Sequence, residues 1–186
     1  MNLQTTGGGS VRFNPNLYHC GKVCLSLLGT WAGGSAGEEW TQHCSILQVL
    51  ISIQSLIMVD EPFFNEPSFE KQRGTHEGTV GNKAYASIVR YGTVRYAMTE
   101  AMRKPPKGFE DAVKTHFSLR KEELKAQLET WVCEAKNDPD AGQGYGSLVS
   151  SHNNVLAAQF KSSKDAYHKA LKTAVADCVK ELNKLK

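Results

Sequence analysis

A rigid turn and a cysteine downstream of it constrain this chain more than any other feature. Asn14-Pro15-Asn16 is followed, after seven residues, by Cys24. Proline fixes its own φ and pushes Asn14 out of the helical region, so an Asn-flanked proline reads as a rigid turn. Gly21 allows a second sharp bend just before the thiol. Cys24 then opens the apolar run Cys24-Leu25-Ser26-Leu27-Leu28. The physical picture is a thiol held in a loop, with carboxamides fixed nearby as hydrogen-bond donors. Without further context, a small buried hydrophobe fits Cys24 better than a nucleophile does, because free cysteine is commonly buried.

Other chemistries for this stretch have to be weighed. His19 could act on Cys24, but a Cys-His protease needs a third, orienting group and a substrate cleft, and no such signature is present. Cys20 and Cys24, with His19 or His43 and Cys44, contain zinc-ligand residue types at a spacing that matches no standard finger. No metal and no cofactor is therefore expected. Cys20 reads as an extra thiol on the rim, open to oxidation. The Gly-rich start Thr5-Thr6-Gly7-Gly8-Gly9-Ser10 lacks the Gly-Lys-Ser/Thr ending of a phosphate-cradling loop and reads as a connector.

The stretch resembles the active-site segment of ubiquitin-conjugating enzymes, whose pattern is His-Pro-Asn, seven residues, then the catalytic cysteine. The longer match runs Phe13-Asn14-Pro15-Asn16-Leu17-Tyr18, then Gly21-Lys22-Val23-Cys24-Leu25-Ser26-Leu27-Leu28-Gly29-Thr30-Trp31. It is similar to the giant, inhibitor-of-apoptosis-linked hybrids that also act as ligases, and these too carry asparagine at the first position. The resemblance covers roughly residues 3–131. It implies an α+β fold of the conjugating-enzyme type. The family places an N-terminal helix and most of a four-stranded antiparallel meander before the turn. This chain has 13 residues there, so the expectation is an N-terminally truncated domain: residual antiparallel strands, a central helix and C-terminal helices. The missing helix is where the family docks its activating enzyme, so the chain is expected to charge poorly.

The resemblance also implies the chemistry. Cys24 would accept the ubiquitin C-terminus from the activating enzyme as a thioester and pass it to a lysine of a protein substrate. Both steps are acyl transfers at a thioester carbonyl. By motif position, Asn16 donates to the developing oxyanion or orients the loop that does so. Asn14 stands where the family has a chiefly structural histidine. Glu66 falls where many members carry an acid near the incoming lysine.

Along the chain, residues 1–136 read as the conjugating portion, 137–152 as a linker and 153–186 as an extra C-terminal helical extension. Residues 31–40 form a Gly-rich loop bounded by two tryptophans. Ile46, Val49, Leu50, Ile53, Leu56 and Ile57 then fall at helical spacing. Leu47 and Ile51 widen the stripe, so this helix is expected to be buried on more than one side, with Thr41 or Ser45 as its cap. Glu61 to Pro67 breaks it. Residues 68–81 read as a polar insertion, 83–103 as a second helix, and 109–117 and 119–136 as two more. In the tail, Tyr167, Leu171, Val175, Cys178, Leu182 and Leu185 make a heptad-like stripe. Such a stripe serves as a dimer seam, a partner-helix site or, more commonly, a face packed on its own domain.

Composition sets the remaining bounds. A net charge of +3, from 22 Lys+Arg and 19 Asp+Glu, is too weak to argue for nucleic acid. No apolar window approaches membrane-spanning length. Five cysteines at irregular spacing do not form a disulfide framework and suit a reducing cytosolic or nuclear setting. Three functions compete: ubiquitin conjugation, a catalytically incomplete interaction module, and a helical assembly protein built on the tail stripe.

Overall fold

The fold, taken from a computed structural model, is described for residues 1–30, 40–141, 156, 160 and 163–185. The loop expected at 31–39 and most of the linker expected at 137–152 lie outside the described residues.

Helices dominate. The first, α1 (Ile46–Ser52), widens into a π-helical stretch over Ile53–Ile57. Ser45 caps it through a capping box: the Ser45 N–H donates to Gln48 Oε1 at 2.6 Å, and the Gln48 N–H donates to Ser45 Oγ at 3.3 Å. Two of the orphan donors of the first turn's approach are thereby satisfied. α2 (His76–Gly92) starts at a Thr75 cap and runs on through a π-helical stretch, Thr93–Glu100, to a closing turn, Ala101–Arg103. Pro105 follows and prevents continuation. α3 (Glu110–Leu119), α4 (Lys121–Asn137) and α5 (Lys164–Lys184) follow.

Three sequence expectations need correction. Helix α2 begins at His76, well before residue 83. Gly78 and Gly81 looked like breakers, but they sit where side chains would clash: a Cβ on Gly81 would lie 2.6 Å from Phe63 Cζ. The expected antiparallel strands reduce, among the described residues, to three isolated bridges: Asn2 with Lys22, Asn14 with Leu17, and Leu17 with Val23. The turns at Asn14–Leu17 and Tyr18–Gly21 reverse the chain too soon for a ladder to extend. Finally, α1 is not buried on several sides. Val49 and Ile57 are covered, yet Ile46 is 74% and Leu47 64% exposed, and Leu50, Ile51 and Leu56 are exposed as well. Periodicity located the apolar stripe correctly, but among the described residues only its inner edge packs into a core cluster.

Two apolar clusters hold the molecule together. The larger joins α2, α4 and α5 around Ile88, Leu128, Leu156, Leu171 and Leu182, all fully buried. The tail stripe Tyr167, Leu171, Val175, Cys178 and Leu182 packs into this core, so it is spent within the chain itself. Ion pairs tie the same helices together: Arg90 with Glu134 at 2.6 Å and Arg103 with Glu181 at 2.8 Å. Lys83 reaches Asp138 and Asp140 just beyond α4, at 3.2 Å each. The smaller cluster is Leu17, Val23, Leu25, Val49 and Ile57, which seats the Asn-Pro-Asn and cysteine segment on the inner edge of α1. Phe13 packs against both clusters, so the candidate site is braced on the main core.

Candidate active site

The turn at Asn14–Leu17 closes with the Leu17 N–H donating to the Asn14 carbonyl at 2.8 Å. Asn14 is almost fully buried. Its Oδ1 accepts from the Asn16 N–H at 2.8 Å, and its Nδ2 donates to the Ile57 carbonyl at 2.9 Å. The side chain therefore stitches the turn to itself and to the end of the α1 π-helical stretch. Tight reversal at Gly21 follows, with φ +89°. A side chain there would collide with Asn2 and with the Leu3 carbonyl, 2.6 Å from its Cβ. The chain then runs back alongside the turn, which brings Cys24 to Asn16.

Asn16 and Cys24 bond twice. The Cys24 N–H donates to the Asn16 carbonyl at 2.8 Å, and Asn16 Nδ2 donates to the Cys24 carbonyl at 2.9 Å. The carboxamide thus orients the cysteine's own peptide group. Beyond Cys24, residues Ser26–Leu28 form one 3₁₀ turn, and Gly29 takes a left-handed conformation at φ +62°. This returns Thr30 over the thiol. Thr30 Oγ1 donates to the Val23 carbonyl at 2.8 Å and accepts from the Leu25 N–H at 3.0 Å, while the Cys24 thiol donates to the Thr30 carbonyl at 3.0 Å.

Cys24 is 4% exposed. Burial pushes its pKa above the ordinary value; the Lys22 and Arg12 charges pull it down, and Glu66 pushes it up. This burial agrees with the reading of Cys24 as a small buried residue. The Thr30 carbonyl lies over the Cys24 thiol and accepts its hydrogen bond.

The Asn-Pro-Asn turn and the cysteine that is hydrogen-bonded to it lie within a stretch that matches a known family by sequence. The sequence model of the family described as ubiquitin-conjugating enzyme covers residues 8–91. Those residues belong to the ubiquitin-conjugating enzyme family. The chain is 52% identical over 157 residues to the mouse dual E2 ubiquitin-conjugating enzyme/E3 ubiquitin-protein ligase BIRC6, covering 84% of this chain and 3% of that protein. The human protein of the same description is 51% identical over the same shares. A probable ubiquitin-conjugating enzyme, protein 17 of Caenorhabditis elegans, is 45% identical over 134 residues, which is 72% of this chain and 18% of that relative. The chain therefore spans a small fraction of the length of these relatives.

Of the residues expected to act, the fold joins Asn16 and Cys24 directly, and Asn14 braces Asn16. Glu66 lies in the loop after the turn Pro62–Asn65, near enough to Cys24 for its charge to be felt. It forms an ion pair with Arg12 at 3.9 Å. Cys20 stands exposed on the rim. Among the described residues, no three His, Cys, Asp or Glu side chains come together as a metal site, so His19, His43, Cys20, Cys24 and Cys44 do not converge. No described helix is long and apolar enough to cross a membrane. Two residues escaped the sequence reading. Thr30 was hidden because a threonine beside a glycine is common in any loop. Arg12 was hidden because a single arginine ahead of a turn reads as surface charge.

Proposed function

We propose that this chain carries ubiquitin as a thioester on Cys24 and transfers it to a lysine of a protein substrate, within a hybrid conjugating enzyme and ligase. The observation that carries this reading is the pair of hydrogen bonds between Asn16 and Cys24, which fixes the thiol loop to the Asn-Pro-Asn turn before any substrate arrives. In the first step the Cys24 thiolate attacks the C-terminal carbonyl of ubiquitin held on the activating enzyme. A new C–S bond forms, the old one breaks, and the activating enzyme's thiolate leaves. In the second step a lysine amine attacks, the C–N bond forms, Cys24 thiolate leaves and the amine proton passes to solvent. Thiolate is a competent leaving group, which suits cysteine to both halves. Asn16 either donates to the oxyanion or keeps the Cys24 peptide in place for it, and Glu66 helps to place the lysine. The partners are ubiquitin, its activating enzyme and substrate lysines, in a reducing cytosolic or nuclear compartment.

A second reading is an interaction module that does not turn over by itself. The 4% exposure of Cys24 and its bond to Thr30 favour it. Incubation with ubiquitin, activating enzyme and ATP separates the two. A thiol-reducible adduct supports conjugation, and its absence after prolonged incubation supports the module.

A further inference from the structure

Arg12 is 9% exposed, an unusual place for a guanidinium. Its Nε donates to the Pro15 carbonyl at 3.1 Å, and its Nη2 donates to the same oxygen. Its Cζ sits 4.1 Å from the centre of the Tyr18 ring. Nη2 lies 3.9 Å from Glu66 Oε2, on a carboxylate that is itself 27% exposed. The Arg12 carbonyl accepts from the Tyr85 hydroxyl at 2.9 Å, which fastens this backbone to α2. One side chain therefore touches the turn, the residue beyond it and the Glu66 loop.

The peptide unit it grips is the one that matters. The Pro15 carbonyl and the Asn16 N–H belong to a single planar group. Arg12 holds the carbonyl end, and Asn14 Oδ1 holds the N–H end at 2.8 Å. With both ends fixed, this plane cannot rotate, and the Asn16 Cα and side chain leave it in one direction, toward Cys24. The Pro15 residue is buried, and a buried carbonyl without a donor costs free energy. A guanidinium suits the task because it forks onto one oxygen, stacks on an aromatic face and remains charged when partly dehydrated; an ammonium does not stack or fork in this way.

We propose that Arg12 is a positioning residue for ubiquitin transfer: by clamping the Pro15–Asn16 peptide plane it sets the placement of Asn16 against Cys24. This rests on the thioester reading above. A purely structural arginine would lower stability and slow loading and discharge alike. A positioning arginine slows discharge more than loading, because small misplacement of groups around a reacting carbonyl is expensive in rate.

The test uses the full chain with Arg12→Lys, which keeps the cation but loses fork and stack, and Arg12→Met, which removes the cation. Each is compared with the parent below its own thermal midpoint. Two readouts are taken: the ratio of discharge to loading rates, and alkylation of Cys24 by iodoacetamide across pH, located by peptide mass. The ratio should fall about tenfold in both variants, the scale of a modest misplacement. The alkylation plateau at high pH should rise in Arg12→Lys, because a loosened Asn16–Cys24 pair uncovers the thiol while the charge is retained. An unchanged ratio and an unchanged plateau in a folded Arg12→Lys chain would overturn the proposal. If the parent chain forms no reducible adduct, the thioester reading fails by itself, and the alkylation plateau alone then decides whether Arg12 controls the Cys24 loop.

Discussion

Asn16 and Cys24 hold each other by two hydrogen bonds, carboxamide to carbonyl at 2.9 Å and amide to carbonyl at 2.8 Å. The Asn16 donor is thus engaged before any thioester exists. Asn16→Ala should still load ubiquitin yet discharge it to lysine more slowly, by roughly ten- to a thousandfold if the donor also serves the oxyanion. Loss of one such bond, worth about 1 kcal/mol, should lower the thermal midpoint by about 2–4 °C. Asn14→Ala should act mainly on the midpoint, since its carboxamide is spent on Asn16 and Ile57. Single-turnover discharge paired with thermal melts reads both. Normal discharge with a lowered midpoint in Asn16→Ala would remove the oxyanion role and leave a structural one.

The charges around Cys24 make a prediction of opposite signs. Burial raises the thiol pKa first of all; Lys22 lowers it and Glu66 raises it. Glu66→Gln should therefore lower the Cys24 pKa and speed its alkylation near pH 8, while Lys22→Met should raise the pKa and slow it. Rates at Cys24, followed by peptide mass, check this. Shifts in the same direction for both variants would mean that packing, not charge, governs the thiol.

Much of this site was legible in the residues, because a Pro-fixed turn and a bend at Gly21 are local properties that spacing reveals. The helices containing Val49, Leu128 and Leu171 were likewise visible as stripes. Burial of those stripes was not. Leu171 and Ile51 look equally apolar in sequence, but Leu171 meets the main core and Ile51 faces out. Arg12 was invisible for the same reason: Pro15, Tyr18 and Glu66 together make its pocket, and only the fold assembles them. The early start of α2 was missed because a helical glycine is normally unfavourable, and Gly81 is chosen for the Phe63 ring that lies against it.

Core and surface should separate cleanly in stability. Leu128→Ala and Leu171→Ala each empty a fully buried position and should cost about 2–5 kcal/mol. Leu47→Gln, at a 64% exposed position of α1, should change stability by no more than about 0.5 kcal/mol. Urea titration of the three variants measures both. A multi-kcal/mol loss for Leu47→Gln would show that a partner covers this face of α1 in solution.

The Glu181 carboxylate gives a pH signature. The Lys184 ammonium first, then the Arg103 guanidinium, hold its pKa below the ordinary 4.5. A depressed carboxylate contributes stability that is present above the unfolded pKa and is lost as pH falls through the folded one. The parent chain should therefore exceed Glu181→Gln in thermal midpoint at pH 7, and the gap should narrow as pH drops below 4.5. A gap independent of pH would mean that the charge of Glu181 adds nothing.

The central claim is that Cys24 carries ubiquitin. The chain and its Cys24→Ser variant are incubated with ubiquitin, activating enzyme and ATP, and run on gels with and without thiol. The account predicts an adduct of one ubiquitin on the parent chain, formed slowly and in low yield, that thiol removes. In Cys24→Ser it predicts either a thiol-resistant ester or no adduct. A reducible adduct of undiminished yield on Cys24→Ser would contradict it and would move the acceptor to another cysteine, with exposed Cys20 the first to examine.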